Sequence, residues 1–314
     1  MKLKKALALI LVLVLAVGVF AACAKDEGAP TGDETAADAT AADATAADAT
    51  AADVDADSPL MNAVIAVPND TTNEARALVL LENLGVITLK EGAGTTATKL
   101  DIAENPYNVE IKEVEAAQLP NVLQDVDYAV INSNYAIAAD MNPAEDALEL
   151  EGAYSAYSNI VAVKEGNEQT DKTKALVAAL QSQKVADYIT ETYKGSVLSV
   201  VEAPGDGFDT SVDYEALKGQ EITVAASPAP HAEILAVAKE ILAEKEVTLV
   251  VKEFTDYVQP NNVVDSGEVD ANYFQHTPYL DDFNAENGTS VVGVAAIHVE
   301  PLGIYGGKQT SLGK

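Results

Sequence analysis

Residues 24–60 carry ten acidic side chains against one lysine and, Val54 apart, no large apolar side chain before Leu60. A segment so poor in apolar surface cannot bury enough of it to offset the entropy lost on ordering. Within it, Thr35–Val54 repeats Thr-Ala-Ala-Asp-Ala four times, the last copy ending in Val54. A period of five fits neither the 3.6 of an amphipathic helix nor the 2 of a strand. A net charge of −9 over this stretch should extend it by self-repulsion. Residues 24–60 therefore read as a tether, and whatever folds must lie in 61–314.

The segment ahead of the tether reads as an address. Lys2, Lys4 and Lys5 precede an unbroken apolar run from Ala6 to Ala22, which ends in Phe20-Ala21-Ala22-Cys23. A basic start, a short apolar stretch and small residues before a cut describe a secretory signal over 1–22. Cys23 is the single cysteine of the chain, so no intrachain disulfide can form. Its position resembles the lipidated residue of a bacterial lipobox, with Phe20 where leucine is usual. That resemblance implies an extracytoplasmic, lipid-anchored protein at the cell membrane, with residues 23–60 as the lipidated cysteine and its spacer.

Fifty acids against nineteen bases give the chain a formal charge of −31, which excludes nucleic acid as a partner, because a phosphate backbone demands clustered Lys and Arg. The remaining length and 48% hydrophobic content allow a sizeable core divided between two lobes. Ala63–Val67 is an apolar run. It is followed by the capping cluster Asn69–Thr72 and then by helical spacing over Glu74–Leu84. Further apolar runs lie at 109–114, 128–132, 160–163, 222–225, 247–251 and 291–294, with helical patterns over 172–193, 231–244 and 279–287. Alternation of this kind predicts an α/β fold with mostly parallel sheets. Residues 200–218 lack periodicity and read as a connector.

Several strings are long and specific. They include Pro68–Leu78, Glu104-Asn105-Pro106, Glu115–Pro120, Ala129–Ala136, Ser227–Ile234, Phe254–Asn261, Asp270–His276 and His298–Gly303. Together they resemble the NlpA family of lipoproteins, the methionine-type substrate-binding proteins of ABC importers, across essentially all of 61–314. The order differs: the family's second part occupies 61–200 and its first part 218–314, with neither duplicated. The resemblance thus implies a two-lobed, type II periplasmic-binding-protein-like fold in circularly permuted order. Its lobes would fall at about 61–152 and 153–314, with ABC permease and ATPase subunits as partners. Closure in one chain and exchange between two chains both remain open at this stage.

Capture of a free amino acid needs partners for a carboxylate, an ammonium and a side chain. A guanidinium suits the carboxylate through its planar fork, and Arg76, the single arginine, lies about one turn after the capping cluster. The family resemblance carries the carboxylate role onto Arg76 and a ligand role onto Asn132, with Asn134 as second choice. Tyr257, Tyr273, Phe274, His276 and His298 would form an apolar and aromatic wall suited to a thioether, although core packing also accounts for Tyr273 or Phe274. His231 opens a predicted helix with no defined role. Neither Gly-x-Ser-x-Gly nor a phosphate-cradling glycine loop is present, so no enzyme and no cofactor are expected. Two rivals stand beside methionine capture. One is zinc or manganese binding by His231, His276 and His298; the other is a surface lipoprotein without a transport role.

Overall fold

The computed structural model describes residues 55–152 and 155–313; the apolar run, Cys23 and the repeat lie outside them. In chain order the first block holds β1 (Val64–Pro68), α1 (Thr71–Asn83), β2 (Thr88–Leu89), β3 (Ile102–Glu104), β4 (Glu110–Val114) and α2 (Leu119–Val122). It continues with β5 (Tyr128–Ile131), α3 (Ser133–Ala138), α4 (Pro143–Asp146) and β6 (Ala147–Leu150). The second block runs through β7 (Ser158–Lys164), α5 (Asp171–Leu180), α6 (Gln183–Tyr193), β8 (Leu198–Ser199), α7 (Tyr214–Leu217) and β9 (Glu221–Ala226). It ends with α8 (Glu233–Ala243), β10 (Thr248–Glu253), α9 (Gln259–Asp265), β11 (Ala271–His276), α10 (Thr277–Asn287), β12 (Val291–Val299) and β13 (Gly303–Gly306).

These strands form two main sheets, ordered β4-β1-β5-β13-β6 and β10-β9-β11-β7-β12-β8. Both are mixed, which corrects the expectation of mostly parallel sheets. β1 runs parallel to β4 and β5, but β13 is antiparallel to β5 and β6. β9 runs parallel to β10 and β11, whereas β7 is antiparallel to β11 and β12. Both faces of the central strands are buried, so alternate residues feed different cores. Ile65, Val67, Tyr128, Val130 and Ile304 pack on one face of the first sheet, and Ala66, Ala129, Ile131 and Tyr305 on the other. In the second sheet Val161 and Val163 face one cluster, while Ile160 and Ala162 face another.

The helical pattern over 172–193 is two helices, α5 and α6. Ser182 caps α6 by accepting the backbone N–H of Val185, and Gly205 hydrogen-bonds to Gln181 and Gln183 across the break. No helix among the described residues is long and apolar enough to cross a membrane.

Two relationships organise the site. The last strand, β13, is inserted between β5 and β6, with Gly303 opposite both Ile131 and Leu150. The chain therefore passes between the sheets twice among the described residues, after β6 and between β12 and β13. Beyond β13 the Tyr128 hydroxyl donates to the carbonyl of Ser311, and Leu312 joins the cluster containing Leu60 and Ala63. A Cβ on Gly313 would fall 2.4 Å from Pro59 Cδ, so residues 311–313 lie against 59–63.

Candidate functional site

Asp70 caps α1 by accepting the backbone N–H of Asn73 through Oδ1. Asn73 and Arg76, three residues apart, share one helix face and turn into the interior. At the end of β5, Asn132 occupies the cap position of α3, which sets Asn132, Ser133 and Asn134 beside them. From the second block come Asn159 of β7, Tyr257 of the loop before α9, Phe274, Gln275 and His276 of β11, Tyr279 of α10, and Glu300. These residues from both blocks line one shared cavity.

Arg76 is buried, at 4% exposure. Its fork is largely engaged within the protein. Nε donates to both Glu151 oxygens at 2.9 and 2.8 Å, and Nη2 donates to Glu151 Oε2 at 2.5 Å and to the Glu300 carbonyl at 2.8 Å. Nη1 takes part in none of these bonds. The guanidinium carbon also sits 4.4 Å from the centre of the Tyr157 ring. Asn132 Nδ2 donates to Asn73 Oδ1 at 2.9 Å, and buried Asn132 Oδ1 is left without a hydrogen-bond partner. Asn134 Oδ1 accepts from the Tyr257 hydroxyl at 2.7 Å.

The apolar wall is an aromatic stack. Tyr257 stands 5.9 Å from Phe274 and 5.7 Å from Tyr279, centre to centre, and Tyr279 lies 6.4 Å from His276. Burial, assisted by the Arg76 charge, pulls the His276 pKa down to about 3, so this ring is neutral at ordinary pH. Burial likewise drives the Tyr257 hydroxyl well above its ordinary range.

Of the residues singled out in the sequence, Arg76, Asn132, Asn134, Tyr257, Phe274 and His276 line the cavity; Tyr273 and His298 do not. Both lie behind it with His231, fully buried. Strict alternation along β11 would put Tyr273 and Gln275 on one face. A bulge between these two positions breaks that alternation, and Gln275 joins Phe274 and His276 at the cavity while Tyr273 enters the core. Asn73, Ser133, Asn159, Gln275, Tyr279 and Glu300 went unassigned in the sequence reading. Helical spacing from Arg76 marks Asn73; Glu300 carries no comparable local signal.

The three histidines do not converge as a set. His231 and His298 meet at Glu300 with ligand atoms within 4.8 Å of one another, while His276 faces the cavity. His298 Nε2 is 2.7 Å from Glu300 Oε1 and its Nδ1 is bonded to the Tyr273 hydroxyl. Ligands at about 2.0–2.1 Å from a tetrahedral zinc would stand roughly 3.3 Å apart. His231 Nε2 stands 3.3 Å from Glu300 Oε1, close to that spacing, but the 2.7 Å contact of His298 Nε2 is a hydrogen bond.

A family profile described as NlpA lipoprotein matches residues 55–201 and 222–314. Membrane lipoprotein TpN32 of Treponema pallidum (strain Nichols) is 49% identical over 133 residues, 42% of this chain and 50% of that protein. The D-methionine-binding lipoprotein MetQ of Escherichia coli (strain K12) is 40% identical over 136 residues, 43% of this chain and 50% of its own length. The chain spans about half the length of the curated relatives it matches. Among solved structures, a nutrient-binding protein from Burkholderia cenocepacia bound to methionine is 52% identical over 44% of this chain and 58% of that one, with a TM-score of 0.43.

Proposed function

Because the chain belongs to the NlpA lipoprotein family, we propose that it captures methionine, or a close relative, between its two lobes and delivers it to an ABC importer. The observation that carries this reading is the pairing, in one buried cavity, of a guanidinium nitrogen outside the internal bonds of Arg76 with the orphaned acceptor Asn132 Oδ1. The first suits a carboxylate and the second an ammonium, and the stack of Tyr257, Phe274 and Tyr279 suits a thioether. Asn73 and Asn134 hold the polar end rigid through Asn132 and Tyr257. Binding rather than chemistry is the activity on this reading, with lobe closure around the ligand as its mechanical output.

The lipid on Cys23, the tether and the permease and ATPase partners belong to the same proposal. It also includes a permuted block order that closes within one chain, which is supported by the packing of residues 311–313 against 59–63. Metal capture at His231, His298 and Glu300 ranks second, because those three atoms are spaced as a hydrogen-bonded network. Calorimetric titration of the full chain with methionine and, separately, with zinc tests the ranking. One-to-one binding of methionine is expected; heat from zinc alone would overturn it.

A further inference from the structure

We propose that Glu300 is the counter-ion of the ligand's ammonium group, held at the cavity by Tyr273, His298 and His231, so that a free amino group is a condition of binding. This deepens the amino-acid reading and rests on it. Glu300 lies on the second passage between the sheets and lines the cavity at 5% exposure. Every group that reaches its carboxylate is a donor. In the tautomer that the proposal assigns, the Tyr273 hydroxyl donates to His298 Nδ1. The proton of that neutral ring then sits on Nε2, which donates to Glu300 Oε1 at 2.7 Å. His231 Nε2 faces two acceptors, Asn159 Oδ1 at 2.9 Å and the same Oε1 at 3.3 Å, so it too carries its proton there. The backbone N–H of Asn134 also favours the ionised form. Such a shell favours the ionised carboxylate against burial, which pushes the Glu300 pKa up, and an arriving ammonium adds the missing charge.

The charges around the cavity leave that carboxylate without a cation of its own. Arg76 is the one lysine or arginine lining the cavity, and Glu151 neutralises it at contact distance. Burial pulls both His231 and His298 to a pKa of about 3, so neither ring supplies a positive charge at neutral pH. A buried carboxylate lacking a cation is unfavourable, and a primary ammonium in the cavity completes it. Tyr273, His298 and His231 act as positioning residues, since they touch the carboxylate or its partner and not the cavity.

The test is calorimetric titration of the full chain and of Glu300→Gln with methionine and with 4-(methylthio)butanoate, the same molecule lacking the amino group. The unaltered chain should prefer methionine by on the order of a hundredfold. Glu300→Gln should shrink that preference below about tenfold, through loss of methionine affinity and with little change for the des-amino acid. Tyr273→Phe, which removes one hydroxyl, should shift the ratio in the same direction by a smaller factor. Equal affinity of the unaltered chain for both compounds overturns the proposal, and so does a Glu300→Gln chain that keeps the full preference. If that variant fails to fold, Tyr273→Phe carries the test, and an unchanged ratio in it overturns the proposal. Neither compound binding the unaltered chain would instead remove the methionine reading, and the assignment with it.

Discussion

Arg76 and Glu151, 75 positions apart in sequence, form a buried ion pair with a closest nitrogen–oxygen separation of 2.5 Å. Glu151 opens the first passage between the two sheets, and its carboxylate also accepts the backbone N–H of Leu302, at the end of the second. The Glu151 N–H returns the bond to the Leu302 carbonyl at 2.8 Å. One side chain thus ties both passages to the guanidinium that faces the cavity. Whether such a pair adds net stability depends on context, but removing one partner from a buried pair costs about 3–5 kcal/mol.

Arg76→Lys keeps the charge and loses the geometry. A lysine ammonium cannot reach both Glu151 oxygens and the Glu300 carbonyl while leaving a donor for a ligand. Methionine affinity should fall at least about tenfold, or roughly 1.4 kcal/mol, and Arg76→Ala should abolish binding. Calorimetry at matched protein folding, monitored by circular dichroism, measures both. Unchanged affinity in the two variants would remove the carboxylate assignment.

Gly307→Ala tests how β13 closes the first sheet. A Cβ there would meet the carbonyl oxygens of Leu123 and Val126 at 2.0 and 2.4 Å, and backbone cannot yield as a flexible side chain can. Overpacking of this kind destabilises by about 1–3 kcal/mol or more. The urea midpoint should drop accordingly. A midpoint equal to that of the unaltered chain would mean the strand's exit follows another path.

Rewriting the chain tests the permuted order. A polypeptide beginning at residue 202, running to 313, joined by a short Gly/Ser linker to residue 58 and ending at 201 should fold and bind methionine within about threefold of the original, because loop closure depends only weakly on length. Gel filtration of the original chain should show a monomer. A dimer whose dissociation abolishes binding would favour exchange of blocks between chains.

Stability should fall on mild acidification. Burial holds His231, His276 and His298 near a pKa of about 3, against about 6.5 in an unfolded chain. Between those values the unfolded chain binds more protons, so the stabilisation is complete above about pH 6.5 and is lost as pH drops toward 3. The slope is up to about 1.4 kcal/mol per pH unit for each histidine. Glu300, whose carboxyl is pushed up by burial, acts with the opposite sign. Urea unfolding at pH 7 and pH 5 should therefore differ by several kcal/mol; coincident curves would mean that the rings are solvated in the folded state.

The α/β alternation, the capping cluster ahead of α1, the placing of Arg76 about one turn into α1 and that of Asn132 at the end of β5 were legible in the residues, because caps and burial periodicity are short-range. β13 was harder to see, since Gly-Ile-Tyr-Gly is four residues long and becomes a central strand only once β5 and β6 stand on either side of it. The face on which Tyr273 falls depends on a one-residue bulge, and the same irregularity brings Gln275 to the cavity. Glu151 and Glu300 meet Arg76 across 75 and 224 positions. The sequence by itself determined which elements form and which side chains were available for recognition. Tertiary structure alone decided which carboxylate neutralises the guanidinium and which is left facing the cavity, because electrostatic partners are chosen by distance in space after the sheets have assembled.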